Sequence, residues 1–355
     1  MAATAVPEAV AQDPVDAGAA GRGRRVDRAE AALLGLAVGD ALGMPTQYLP
    51  RATVDHLYGG LRWFEPGPEA NEISRGLPAG HVTDDTDQAL IVARALVDGG
   101  GHVAPDRLAR DLLAWEARME AVGSLDLLGP STRRALAALA QGADPADTGR
   151  WGDTNGAAMR IAPVGVLVPP APLARLVDRV TEVCSLTHHT GVAIAGASAV
   201  AAAVSTGIDG GTFDDALDAA VLAAREGAQR GAYVAGADVA TRLVWAVGTV
   251  RGAGSEAAAL DAVSSLIGTG IATQESVPAA FALLALAPED PWRVCLAAAN
   301  LGGDSDTVAA MAGAVGGALH GRAAFPAAAV ELVTTVNDLG VTPLVARLLE
   351  LRDAA

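Results

Sequence analysis

Apolar residues along this chain return every third and fourth position, the spacing of one face of an α-helix. The segments DRAEAALLGLAVGDAL, TDQALIVARALVDG, PDRLARDLLAWEARM, STRRALAALAQG and PLARLVDRVTEVCSLT carry it. So do GVAIAGASAVAAAV, FDDALDAAVLAAREGAQR, VPAAFALLALA and SDTVAAMAGAVGGALHG. Gly, Pro, Asp and Thr punctuate the joins. No run alternates at a period of two for long enough to build a sheet, no stretch has the Pro or Ser content of a linker, and no repeat of fixed length stands out. The pattern predicts a single compact all-α domain over residues 27–355, made of many short to medium helices, behind a disordered tail over residues 1–26. The many Ala and Gly on the helix faces predict closely approaching axes and a core with few aromatics.

Composition narrows the partners. The 355 residues include 41 acids against 25 bases, a formal charge of −16, and 51% apolar residues supply a large core. So negative a chain is a poor match for nucleic acid or an anionic membrane, which are themselves polyanions. Every base is Arg. The two cysteines, Cys184 and Cys295, lie far apart inside apolar helical patterns, which predicts small buried hydrophobes in a reducing cytoplasm and not a disulfide or a zinc site. The N-terminal 25 residues lack the apolar core of a signal peptide; Arg24 and Arg25 are paired, but charged residues follow them directly. The run TGVAIAGASAVAAAVSTGI reaches membrane-spanning length, yet it is mostly Ala, Gly and Ser, which suits a closely packed core helix better than lipid.

The stretch GHVTDDTDQALIVARALV is where chemistry enters. Asp84, Asp85 and Asp87 fall within four positions at the start of an apolar helix. One oxygen suffices to cap a helix, and acids favour its positive end, so a single cluster reads as a cap. A second cluster has the same grammar: in NLGGDSDTVAAMAGAVGG, Asp304, Asp306 and Thr307 stand where a glycine-rich turn enters an apolar helix. If the two helix starts face each other, their carboxylates repel unless a cation lies among them. An all-oxygen set of this kind suits two Mg²⁺ or Mn²⁺ ions better than zinc.

In order along the chain, GDALGMPTQ from Gly39, TDDT from Thr83, NGAAMRIAP from Asn155, LTHHT from Leu186 and NLGGDSDT resemble the motifs of the ADP-ribosylglycohydrolase family. That family includes the dinitrogenase-reductase-activating glycohydrolases and the metazoan ADP-ribosyl-acceptor hydrolases. The resemblance runs from about Arg28 to the C-terminus. It implies an all-α fold with a binuclear Mg²⁺ or Mn²⁺ centre at the bottom of a cleft. Thr83, Asp84 and Asp85 would bind from one side and Asp304, Asp306 and Thr307 from the other. It further implies hydrolysis at the anomeric carbon of a ribose, with Asn155, Gly156, Arg160 and His188 lining the substrate cleft. GTGIATQESVPAAF looks like the family's cleft loop, with Gly268 and Gly270 admitting close backbone approach.

Each of these residues also has a plainer reading. Asn155-Gly156 is an ordinary turn, Arg160 a solvated surface charge, though its place between Met159 and Ile161 favours pairing with an internal acid or substrate, His188 a satisfied structural histidine, and Glu275 a helix cap. Two departures from the family's pattern bear on the chemistry. Gln47 stands where many members carry Glu, and an amide cannot act as a general base, which leaves Asp85 or Asp304 to accept a proton. Asp153, two residues before Asn155, would repel a diphosphate, favouring a nucleoside-like or smaller ribosylated substrate over an ADP-ribosylated protein. The expected activity is thus metal-dependent hydrolysis of an N- or O-ribosyl bond. The competing expectation is a non-catalytic ADP-ribose binder or a crystallin-like structural protein on the same fold.

Overall fold

In the computed structural model, which describes residues 14–124 and 128–354, helices make up the whole framework, and among these residues only isolated bridge pairs, Thr154 with Ala272 and Thr190 with Ala232, have strand-like pairing. The domain is all-α. Six helices position the site: α1 (Pro14–Gly43), α2 (Asp84–Asp98), α3 (Gly191–Ile208), α4 (Thr273–Leu286), α5 (Ser305–His320) and α6 (Val341–Ala354). Residues 1–13 of the expected tail lie outside the described residues, and from Pro14 the chain is already helical.

The helices foreseen from apolar spacing are present, and the structure adds Arg51–Tyr58, Val239–Arg251, Pro291–Leu301, Ala327–Asn337 and α6. At the centre, α1 and α5 pack backbone against backbone. Gly35, Gly39 and Gly43 recur every fourth residue and so form one stripe on α1. A Cβ on Gly39 would lie 2.1 Å from the Ala309 carbonyl oxygen, and one on Gly313 would lie 2.0 Å from that of Gly35. Only glycine permits this approach, which is closer than the usual ~8–10 Å separation of helix axes would need.

The Ala-rich segment Gly191–Ile208 is long and apolar enough to cross a membrane, but 83% of it is buried inside the protein. It packs against α5 and the Phe213–Gly227 helix as a core element. At the C-terminus α6 is pinned by Arg352, whose buried guanidinium donates to the carbonyls of Gly165 (3.0 Å) and Val168 (2.8 Å) and pairs with Asp209 at 2.9 Å. Cys184 and Cys295 are both free and buried, and burial pushes each thiol up to about 12, so neither offers a thiolate.

Candidate active site

The glycine stripe decides which helix starts meet. Gly43, at the end of α1, lies so close to α5 that a Cβ there would be 2.4 Å from the Cα of Asp306. Just beyond, Thr46 Oγ1 lies 3.0 Å from Ser305 Oγ, tying the end of α1 to the first turn of α5. The preceding Gly302 and Gly303 have φ of +67° and +71°, a region side chains rarely adopt. They turn the chain so that Asp304 N donates to Thr269 O at 2.7 Å.

From the opposite side comes the start of α2. Here Asp40, an acid interrupting the apolar face of α1, is fully buried and accepts from Thr83 N and Thr86 N, from Thr83 Oγ1 at 2.8 Å and from Thr86 Oγ1 at 2.5 Å. With its proton on Asp40, the Thr83 hydroxyl keeps its lone pairs for other partners. One of them accepts from Asp85 N at 3.4 Å, so Thr83 does cap α2. At α5 the cap position is Asp304, and its side chain makes no capping bond. Its Oδ2 accepts instead from Asn155 Nδ2 at 2.5 Å, and Asn155 also donates to Ser276 Oγ at 3.0 Å.

The two acid clusters do meet. Thr307 Oγ1, on α5, donates to Asp85 Oδ2, on α2, at 3.2 Å. Asp85 Oδ1 is buried with no hydrogen-bond partner. Burial, then the charges of Asp306, Asp84, Asp40 and Asp304, hold the Asp85 carboxyl well above the usual carboxylate range. Burial likewise raises Asp304 and Asp40 to about 6 each, against the hydrogen bonds they accept.

Above these acids opens a cleft of about 210 Å³, lined by Gln47, Tyr48, Asp84, Thr154, Asn155, Gly156, Ile271, Asp304, Asp306 and Thr307 among others. Tyr48 sits at φ +56°, uncommon for a bulky residue, with its amide bonded to Gly303 O. Although about half of its side chain is exposed, partial desolvation and then the nearby Asp304, Asp306, Asp84 and Asp85 raise its phenol above its ordinary value. Gln47 is buried in the lining, its Nε2 without a hydrogen-bond partner.

Other residues singled out by motif stand elsewhere. Asp153 is off the cleft lining; its carbonyl accepts from Thr273 Oγ1 at 2.8 Å, while Thr154 occupies the wall. The repulsion argued for its carboxylate therefore loses its geometric basis. Arg160 and His188 are fully buried behind the wall, and neither lines the cleft. Gly268 and Gly270 cradle Glu275, whose Oε2 would be 2.9 Å and 2.8 Å from a Cβ at each. Asp87 turns away and accepts from Trp115 Nε1 at 2.6 Å.

Sequence reasoning passed over Asp40, Gln88, Thr154, Thr187, Ser276 and Tyr48. Only Asp40 carried a signal, a charge within an otherwise apolar helix face.

Asp84, Asp304 and Asp306 line the cleft of this all-α domain, and Asp85 and Asp40 lie buried beside them, so the starts of α2 and α5 build one acid-rich site. The sequence pattern described as ADP-ribosylglycohydrolase matches residues 22–355. The uncharacterized protein YegU of Escherichia coli (strain K12) is 38% identical over 315 residues, covering 89% of this chain and 94% of that protein. The ADP-ribosylarginine hydrolase Tri1 of Pseudomonas putida (strain GB-1) is 31% identical over 327 residues, covering 87% and 74%. A solved structure, an ADP-ribosylglycohydrolase-related protein complex, superposes with a TM-score of 0.69 at 26% identity over 93% of this chain and 99% of that one. The chain belongs to the ADP-ribosylglycohydrolase family and is a hydrolase of that type.

Proposed function

We propose that this protein hydrolyses an N- or O-ribosyl bond at the floor of the cleft, with two hard divalent cations, Mg²⁺ or Mn²⁺, held between the starts of α2 and α5. The observation that carries this reading is Asp85: one oxygen bonded across to Thr307, the other buried without a partner. Oxygen donors of this kind fit a hard cation. Among the described residues no three acidic, His or Cys side chains are preassembled around an ion, so the threonine hydroxyls of Thr83 and Thr307 would complete the set with Asp84, Asp85, Asp304 and Asp306. When bound, the cations supply positive charge that offsets the mutual repulsion of these acids and polarises oxygen ligands.

The protein's own groups divide the remaining work. Asn155, anchored by Ser276, orients Asp304, which lines the cleft. Asp304 or Asp85 takes a proton from the attacking water as its oxygen bonds to the anomeric carbon and the leaving group departs. A cleft of about 210 Å³ is smaller than the ~300–1,000 Å³ of pockets that enclose drug-sized ligands. It accommodates the ribosyl end and leaves the leaving group towards solvent, which admits both small ribosylated molecules and ADP-ribosylated proteins. The free, buried cysteines accord with a reducing compartment, and we place the protein in the cytoplasm.

A turnover screen of ADP-ribosylated protein, ADP-ribosylated small molecules and nucleosides, with Mg²⁺ and with Mn²⁺, tests the reading. Absence of turnover across that set with either metal would overturn it. In the same assay Gln47→Glu places an acid on the cleft lining and should change kcat or metal preference by about tenfold. Kinetics identical to wild type would remove Gln47 from the reacting region.

Metal binding should also depend on pH. The raised carboxyls hold protons in the folded, metal-free chain where the unfolded chain has lost them. Their contribution to stability is therefore full at low pH and is lost as pH rises through about 6. His188, lowered by burial and then by Arg160 and Arg134, works oppositely: its contribution is present above its unfolded pKa and lost below it. Cations must displace the carboxyl protons, so apparent affinity should fall about tenfold per pH unit below 6 for each proton displaced. The rise in Tm caused by millimolar Mn²⁺ should accordingly be large near pH 8 and small near pH 5. Equal shifts at both would remove Asp304 from the metal site.

A further inference from the structure

The segment over residues 155–160 reaches both acid clusters, one from each end. Asn155, at its start, holds Asp304 of the α5 cluster directly. Arg160, at its end, is fully buried, and both of its amino groups donate to neutral side chains: Nη1 to Gln88 Oε1 at 2.6 Å and Nη2 to Thr187 Oγ1 at 2.5 Å. Gln88, also fully buried, lies one turn after Asp84 on α2, and its Nε2 donates to Asp84 Oδ2 at 2.6 Å. Arg160 thus reaches an acid of the α2 cluster through a single carboxamide.

Chemistry fixes the direction of that carboxamide. A guanidinium can only donate, and an ionised carboxylate can only accept. Oε1 must therefore face Arg160 and Nε2 must face Asp84. Turned end for end, Gln88 would set donor against donor and acceptor against acceptor, an arrangement that burial makes costly. Burial lowers the Arg160 guanidinium to about 10, while Cys184 and Asp84 pull the other way, so Arg160 and Asp84 attract each other across the amide. The amide also keeps them apart. In direct contact a guanidinium can engage both oxygens of a carboxylate, and neither would then be left for a cation.

We propose that Gln88 is a positioning residue that holds the Asp84 carboxylate in place to bind a divalent cation, and that Arg160 anchors it for that task. This rests on the reading of Asp84 as a metal ligand. Gln88 is not on the cleft lining and acts only through Asp84. Asn155 does the same for Asp304, with Ser276 as its anchor. Each of the two helix starts therefore has one acid held by an anchored carboxamide, and the segment over residues 155–160 sets both.

Two substitutions separate this role from support of the fold. Gln88→Glu keeps an acceptor for Arg160 and removes the donor to Asp84, whereas Gln88→Met removes both. Mn²⁺ is titrated calorimetrically at pH 8, and the Tm of each metal-free protein is measured. Gln88→Glu should bind Mn²⁺ about 10–100-fold more weakly than wild type and, with Arg160 still paired, should melt close to it. Gln88→Met should lose affinity to a similar degree and melt lower, because a buried guanidinium N–H is left unpaired. Wild-type Mn²⁺ affinity in Gln88→Glu would overturn the inference and leave the metal reading standing, whatever Gln88→Met does. An equal drop in Tm in both variants would make Gln88 a prop of the fold and overturn it as well. A wild type that takes up no Mn²⁺ would overturn the metal reading and this inference with it.

Discussion

Asp304→Asn should lower turnover by about 10³-fold or more, roughly 4 kcal/mol in the barrier, while leaving the fold intact. Asn is nearly isosteric with Asp and caps helices equally well. If Asp304 served only to start α5, the substitution would be silent. The structure gives it another task, since its carboxylate makes no capping bond and is oriented instead by Asn155. Replacing a carboxyl whose burial disfavours its charge, and whose charge bears on Asp85, should also relieve strain on the metal-free site, so the metal-free variant should melt no lower than wild type near pH 8. Asp85→Asn should behave alike, because its burial among Asp306, Asp84, Asp40 and Asp304 is even less favourable to charge. Lost activity together with retained Tm identifies a site residue. Turnover within a few-fold of wild type would remove that residue from the chemistry.

Gly39→Val should be the most damaging change away from the acids. The new Cβ would sit 2.1 Å from the Ala309 carbonyl oxygen, against backbone that has no rotamer with which to yield. α1 and α5 must separate, and the loss should be roughly 3 kcal/mol or more, read as a lower midpoint in urea. Gly43→Ala is subtler. Its Cβ meets Asp306 at 2.4 Å, so turnover should fall by more than stability does. Gly248→Ala supplies the control: it lies inside the Val239–Arg251 helix with nothing within 4 Å of the added Cβ. There the substitution should stabilise by up to about 1 kcal/mol. Equal effects of Gly39→Val and Gly248→Ala would show that the close contact of α1 with α5 is unimportant.

What could be read from the chain alone follows from local physics. Helical periodicity is a property of short segments, so the all-α architecture and most helix positions were legible from apolar spacing. Two acid-bearing helix starts were equally visible, because a cap needs one oxygen and each cluster holds several. The family motifs added the order in which those starts belong to one site. Which neighbours each side chain would meet was not local. Asp84, Asp85 and Asp87 look alike in sequence, yet the pitch of α2 points Asp85 across to Thr307 and carries Asp87 round to Trp115. Asp153 and Thr154 are adjacent, and the backbone pairing of Thr154 with Ala272 puts the hydroxyl, not the carboxylate, on the cleft wall. Arg160 and His188 were recognised by motif, but their complete burial makes them supports of the wall rather than its surface. Asp40 entered the site only because the glycine stripe lets α1 lie directly against α5, bringing a mid-helix acid beneath the start of α2. Periodicity states which face of a helix is buried; the partner face, and with it the chemistry, is chosen by how closely the backbones can approach.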